Sequence, residues 1–215
     1  MKIVLKIGGS VSIRENGPDF SYFSRLLPVL RRIKRGNQII VVIGGGRLTR
    51  AYGKSIEKFS LPDEEKEKIF IELISANVRF LAATLKMRPI LSLDEIKPGT
   101  SGVIGGMVPG RSTDANAAIA ARKIHADLFV KMTNVDGVYD KDPNRFRDAK
   151  LIREMPFAAL KKMSMKGKPN NYGVLDSMAI KNLSAAGTRT IIINGKNPEN
   201  LVKALAGRQI GTRIG

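Results

Sequence analysis

Two six-residue stretches constrain this chain more than any other feature. Lys2–Ile7 (KIVLKI) and Gln38–Ile43 (QIIVVI) are apolar almost throughout, and they run straight into Gly8-Gly9 and Gly44-Gly45-Gly46. Strands that are apolar without alternation have both faces buried, which is the condition of a parallel sheet covered by helices on two sides. The segments around them carry the complementary period. Tyr22–Arg35 places Leu26, Leu27, Leu30 and Ile33 at helical spacing, and Gly36-Asn37 suits its closing turn. Leu48–Phe59 and Pro62–Leu85 read as further helices, the second opening with Asp63, Glu64 and Glu65 at the positive end of its dipole. Short strands are expected near Pro89–Leu91 and at Gly102–Ile104, then a helix capped by Thr113 and running through Ile124. A strand over Asp127–Met132, a turn over Asn134–Val138, a helix over Gly173–Ala186, a strand over Thr188–Ile193 and a helix over Pro198–Ala206 complete the pattern. The alternation predicts an α/β fold, a three-layer α/β/α sandwich with a mostly parallel central sheet, in one domain spanning residues 1–215.

Composition removes whole classes of chemistry. There is no cysteine, and His125 is the only histidine, so thiolate sites, disulfides and multi-imidazole metal sites are excluded. His125, the lone Tyr22 and Phe23, and Met132, Met155, Met163 and Met165 read as structural or packing residues. No apolar run approaches the ~18 residues of a spanning helix, so no membrane is expected. Lys2–Ile7 is too short and charged for an export signal, so a cytoplasmic protein is expected. Against 19 acidic residues stand 37 basic ones, a net charge of +18, which suits an anionic partner. That charge is spread along the chain. Its densest runs, Arg31–Arg35 and Lys161-Lys162 with Lys166 and Lys168, read as solvated faces or as a site for an acidic partner. No aromatic RNA-binding motif accompanies them, which argues against nucleic acid.

In parallel sheets, ligands bind where the carboxyl ends of strands meet loops and helix N-termini. Four junctions here carry candidate chemistry. Lys6-Ile7-Gly8-Gly9-Ser10 combines glycines that let a ligand approach the backbone with a lysine aimed at the same place. Gly44-Gly45-Gly46-Arg47, with Arg50 one turn further on, reads as a phosphate cradle at a helix start. Either glycine run taken singly also fits a plain turn; two cation-flanked runs in one small sheet favour anion binding. The third junction, Gly105–Ala115, is a glycine-rich loop entering a helix, where Thr113 and Asp114 suit a cap and a first-turn carboxylate as well as a site. The fourth, Thr133–Pro143, is either a polar hairpin turning at Asp136-Gly137 or a ligand segment.

Taken together and in this order, these segments resemble the amino-acid kinase superfamily. The similarity is greatest to its short archaeal uridylate (UMP) kinase type, through Gly105-Gly106-Met107-Val108-Pro109-Gly110-Arg111-Ser112-Thr113-Asp114-Ala115. It continues through Thr133–Tyr139, Lys141-Asp142-Pro143, Val174-Leu175-Asp176 and Gly211-Thr212. The resemblance implies the amino-acid kinase fold and transfer of the γ-phosphoryl of ATP, with Mg²⁺, to the phosphate of UMP. It implies Lys6 and Asp114 as catalytic residues. Lys6, Gly8, Gly9, Ser10, Thr133, Asn134, Tyr139, Asp142 and Pro143 would contact ATP; Gly45, Gly46, Arg50, Glu67 and Thr113 would contact UMP. Residues 1–112 would serve mainly the acceptor and residues 113–215 mainly ATP. A homohexamer is implied as well, and no protein-held metal is assigned. Asp176 lies where the acetylglutamate branch of the family has a second catalytic lysine.

Phosphoryl transfer needs positioning and charge neutralisation, and an acceptor phosphate is already a nucleophile, so the scarcity of histidine is no obstacle. The chain departs from the uridylate kinase pattern on the acceptor side. Glu67, Phe70 and Ser75 stand where the subgroup has aspartate, glycine and arginine, and Arg111 and Ser112 replace histidine and threonine. Three functions are therefore carried forward: a UMP kinase, a kinase of the same fold with another acceptor, and a non-catalytic anion-binding or storage protein.

Overall fold

The computed structural model describes residues 1–165 and 175–215. In chain order the elements are β1 (Lys2–Ile7), α1 (Gly9–Ser12), β2 (Ile13–Arg14), β3 (Gly17–Pro18), α2 (Phe20–Lys34), β4 (Gln38–Ile43) and α3 (Gly46–Ile56). There follow α4 (Asp63–Leu85), β5 (Gly102–Ile104), α5 (Thr113–Lys123), β6 (Leu128–Thr133), β7 (Val138–Tyr139), β8 (Leu151–Ile152) and β9 (Glu154–Met155). The chain closes with α6 (Phe157–Met165), α7 (Ser177–Ala185), β10 (Arg189–Asn194), α8 (Glu199–Leu205) and β11 (Thr212–Ile214). Lys166, Lys168, Gly173, Val174 and the Met165 side chain lie outside the described residues.

The central sheet has the order β5-β4-β1-β6-β10-β11-β9 and is parallel except where β11 returns against β10. Alternation along each strand sorts side chains to two cores. Ile3, Leu5, Ile7, Val41, Ile43, Val130 and Met132 face α2, α4 and α8. Val4, Ile40, Val42, Phe129 and Ile192 face α5, α6 and α7. Both faces are covered, as a parallel sheet requires. Helix α5 presents Ala115, Ala117, Ala118, Ala120 and Ala121 as buried residues, and such small side chains let it lie close to the strands beneath. Tyr22, Phe23, Met132 and Met155 are core residues, as expected, and Met163 packs against the second core. His125 closes α5 with a left-handed backbone, φ +51°, a structural role.

Several elements differ from expectation. Pro89–Leu91 forms no strand; Pro89 makes only an isolated bridge to Val103, since proline has no N–H to extend a ladder. Ser112, not Thr113, caps α5, its hydroxyl accepting from Ala115 N at 2.9 Å. Asp136-Gly137 does not turn a hairpin. The strand after it, β7, pairs with the distant β8, and a Cβ on Gly137 would lie 2.4 Å from Thr212 Oγ1. That threonine is fully buried, accepts from Val138 N at 2.8 Å and donates to Ile152 O at 2.6 Å, so Gly211-Thr212 is a structural clasp. In the basic run of α2, Arg31 donates to Thr84 O at 3.0 Å and Lys34 to Leu85 O at 2.5 Å. These cations cap the carbonyl end of α4, whose own last turn holds no basic residue.

Candidate active site

Lys6 and Lys131 occupy adjacent, directly paired positions on parallel β1 and β6. Strand alternation sends both toward α5, one residue and two residues before their strands end. Asp114, in the first turn of α5, meets them there. Its Oδ1 lies 3.7 Å from Lys6 Nζ, and its Oδ2 accepts a short hydrogen bond from Lys131 Nζ. Side-chain exposure is 4% for Lys6, 8% for Lys131 and 18% for Asp114, so among the three the carboxylate is the most accessible. Burial holds the Lys6 ammonium below the usual lysine range, offset in part by Asp114. Burial alone would raise the Asp114 carboxyl, but the charges of Lys131 and Lys6 outweigh it and hold it below the usual carboxylate range. With all three ionised the cluster carries one uncompensated positive charge at the carboxyl end of the sheet. Lys131 was not anticipated from sequence. Its signal was a lone lysine inside the buried run LFVKMT, and a buried lysine demands a partner.

The glycine loops close around this cluster. Gly8 N donates to Met132 O at 2.8 Å, and a Cβ on Gly8 would sit 2.6 Å from that oxygen. Gly9 and Gly46 touch, since a Cβ on Gly9 would lie 2.5 Å from Gly46 Cα. Gly46 has φ +61°, which with that crowding makes glycine obligatory. A Cβ on Gly44 would meet Thr113 Oγ1 at 3.3 Å and Lys6 Nζ at 3.8 Å, so loop, lysine and threonine share one space. Two buried amides hold the loops in place: Asn77 Nδ2 donates to Gly44 O at 3.2 Å, and Asn116 Nδ2 donates to Gly105 O at 3.0 Å. The N-termini of α1, α3 and α5 thus converge on Lys6 and Asp114. Ser10 is exposed and borders, with Arg47, a neighbouring hollow of about 660 Å³. Arg50 is exposed on α3, and among the described residues no hydrogen bond or ion pair engages it.

Beside the cluster opens a cavity of about 380 Å³, whose lining includes Gly45, Glu67, Phe70, Arg111 and Thr113. Three of the five predicted UMP contacts, Gly45, Glu67 and Thr113, are therefore brought together with Phe70 and Arg111, and Gly46 and Arg50 lie nearby on α3; Ser75 is not in the wall. Glu67 Oε2 already accepts from Gly110 N at 2.5 Å, tying α4 to the glycine-rich loop. Phe70 is half-buried in that wall and belongs to neither core. Ser112 donates a short hydrogen bond to Asp176, whose other oxygen accepts from Ala179 N at 2.9 Å and caps α7. Asp176 therefore links the starts of α5 and α7.

The Thr133–Pro143 segment lies past the ends of β6 and β10. Thr133 is buried and its carbonyl accepts from Gly195 N at 2.6 Å; Asn134 is exposed. Asp136 accepts from Tyr139 OH at 3.2 Å and from Asn194 Nδ2 at 2.8 Å. Burial, with the Asp136 charge beside it, raises the Tyr139 hydroxyl above its usual range. Asp142 is buried and accepts from Asn144 N at 2.9 Å, shaping the turn at Pro143. The segment begins beside Gly8, whose N–H meets Met132 O, and in the sheet β1, which carries Lys6, lies between β6 and β4, the strand that leads into the triple glycine. A separate cavity of about 750 Å³, lined by Met1, Leu128, Arg189 and Ile214 among others, lies at the amino ends of β6 and β10 and holds none of the predicted residues. The chemistry sits at the carboxyl ends, where the glycine loops and charges are.

The chain matches the amino acid kinase family over residues 1–87 and 78–194. It is 34% identical to a protein named uridylate kinase from Methanobrevibacter smithii over 224 aligned positions, covering all of this chain and 99% of that one. A protein of the same name from Methanocella arvoryzae is 35% identical, again across 100% and 99% of the two chains. The crystal structure of uridylate kinase from Archaeoglobus fulgidus superposes with a TM-score of 0.86 at 30% identity, and each chain is covered completely. Full-length likeness in sequence and in fold, joined to the converging glycine loops and the Lys6–Asp114–Lys131 cluster, leads to one conclusion: the chain belongs to the amino acid kinase family.

Proposed function

We propose that this protein is a nucleoside monophosphate kinase that transfers the γ-phosphoryl of MgATP to UMP. The observation that carries the reading is the buried Lys6–Asp114–Lys131 cluster, with its excess positive charge, standing between two anion-ready regions. An oxygen of the UMP phosphate attacks the γ-phosphorus of ATP. The bond from that phosphorus to the β–γ bridging oxygen breaks, its electron pair stays on ADP, and UDP forms. No general base is required, because the attacking phosphate is already an anion. Charge on the equatorial oxygens of the transferring group is met by Lys6 and Lys131, and Asp114 holds both ammonium groups at fixed positions. The bare backbone of Gly8, the N–H of Gly9 and the N-terminus of α1 suit the ATP phosphates; Ser10, Thr133, Asn134, Tyr139, Asp142 and Pro143 would border the rest of that nucleotide. Gly45, Gly46, Arg50, Glu67 and Thr113 would receive the acceptor. Mg²⁺ enters as part of the substrate, on the ATP phosphates.

On this reading residues 1–112 serve mainly UMP and residues 113–215 mainly ATP, with Lys6, Gly8, Gly9, Ser10 and Thr113 crossing the divide. The names of the archaeal relatives support the acceptor. A homo-oligomer, a hexamer by resemblance, is supported by Phe20 and Phe59, apolar residues that are 85% and 71% exposed. Among the described residues no helix is long and apolar enough to cross a membrane, and with intracellular substrates the protein would work in the cytoplasm. A second reading, the same transfer to a different acceptor, is favoured by Phe70 in the cavity wall and by Glu67 engaged with Gly110. A panel of nucleoside monophosphates and small carboxylates or phosphates, incubated with MgATP and followed by ADP release, separates them. Release with UMP alone supports the first reading, release with another acceptor the second, and no release the non-catalytic one.

A further inference from the structure

Gly53 lies in the interior of α3, where glycine is unfavourable relative to alanine and where its ordinary helical backbone does not call for it. Its neighbour accounts for it. A Cβ on Gly53 would lie 3.2 Å from Phe70 Cζ and 3.6 Å from Cε1, so the tip of the ring is seated against the bare helix backbone. From that seat Phe70 contributes to the wall of the 380 Å³ cavity that also holds Glu67, Arg111 and Thr113. Among the described residues the rest of the wall is aliphatic, polar or backbone, so Phe70 is the one flat aromatic surface they offer.

We infer that Phe70, held in place by Gly53, is a specificity-determining residue for the acceptor. Its ring supplies the face on which the acceptor's base stacks, and its bulk limits the cavity to a single-ring pyrimidine. The inference rests on the UMP kinase reading and deepens it. Stacking on an aromatic face is sequence-tolerant, because every base has a π-face, so discrimination between one and two rings must come from the room left in front of it. Gly53 sets that room. A methyl there would crowd the tip of the ring at 3.2 Å, so the ring would have to give by a few tenths of an ångström, and the cavity it lines is open space on its path.

The test uses the full chain with saturating MgATP. UMP, CMP, AMP and GMP are offered as acceptors, and kinetics and melting are measured for wild type, Phe70→Ala, Phe70→Leu, Gly53→Ala and the double variant. Phe70→Ala should raise the KM for UMP roughly 5- to 100-fold, the range of one lost stacking contact. It should leave the KM for ATP unchanged and narrow the preference for UMP over GMP. Phe70→Leu keeps the apolar volume without the flat face and should recover melting but not the UMP KM. Gly53→Ala should melt no lower than wild type yet raise the UMP KM severalfold, and that effect should vanish in the Phe70→Ala background. Unchanged UMP KM and unchanged preference in every variant, with losses confined to melting, would overturn the pair while leaving the UMP kinase reading intact. If wild type fails to phosphorylate UMP at all, the acceptor reading falls and the pair falls with it.

Discussion

Neutralising Lys131 and neutralising Asp114 should have opposite consequences, because the cluster holds two cations and one anion. In Lys131→Met, Asp114 keeps Lys6 at 3.7 Å, a contact worth on the order of 4 kcal/mol before desolvation at an effective dielectric of ~20. The repulsion between the two ammonium groups is removed, and the methionine occupies a similar volume. The melting temperature should therefore move by no more than about 3 °C, the effect of ~1 kcal/mol in a chain of this size. Turnover is another matter. The lost ammonium faces the space where charge develops, so kcat should fall by roughly 10²–10³, the scale of losing one preorganised electrostatic donor. In Asp114→Asn two buried ammonium groups lose their counter-charge. Breaking a buried pair on one side costs about 3–5 kcal/mol, which corresponds to roughly 6–20 °C of melting temperature. MgATP should return part of that loss, since its phosphates bring anions to the same place. The assays are thermal melting with and without MgATP and steady-state ADP release with UMP. Wild-type kcat in folded Lys131→Met, or a larger melting loss there than in Asp114→Asn, would refute the reasoning.

Three further outcomes are expected. Burial depresses the Lys6 pKa below its ordinary 10.5, so kcat/KM should fall on an alkaline limb that begins below that pH. Between the folded value and 10.5 the unfolded chain binds more protons than the folded one, so the contribution of Lys6 to stability rises through that window. Activity is thus lost before the fold, which a pH–rate profile and a parallel melting series will check. Arg50→Ala should raise the KM for the acceptor roughly 10- to 100-fold, as expected for one charge-assisted phosphate contact of about 1.5–3 kcal/mol, with the ATP KM unchanged; an effect on ATP instead would reverse the assignment of the two sides. Asp176→Ala removes the α7 cap and the partner of Ser112, and should cost about 0.5–2 kcal/mol in a denaturant titration, with less lost in Asp176→Asn, which keeps a capping oxygen.

What could be read along the chain was whatever depends on local periodicity. Lys2–Ile7, Gln38–Ile43 and Gly102–Ile104 are strands with the expected bounds because an uninterrupted apolar run has few other solutions. The glycine junctions were legible for the same reason, since only backbone demands place glycines directly after such strands, and they point to Lys6, Gly45, Gly46, Thr113 and Asp114. The order of strands across the sheet is not local. The pairing of Lys6 with Lys131 exists only because β1, first in the chain, lies between β4 and β6. In the linear chain Lys131 is a lone charge in a strand, and only folding supplies the carboxylate that makes it tolerable. The same holds for Gly137, read locally as a turn but required by Thr212, and for Arg31 and Lys34, which belong to a largely exposed basic face as expected but also bond the end of α4. Phe70 shows the boundary most plainly. Its period within α4 fits a core position as well as a cavity wall, and only the approach of α3, with Gly53 beneath the ring, decides between them. Periodicity determines which residues form an element and which face they share. What that face meets is decided by contacts between residues far apart in sequence, and no local pattern encodes them.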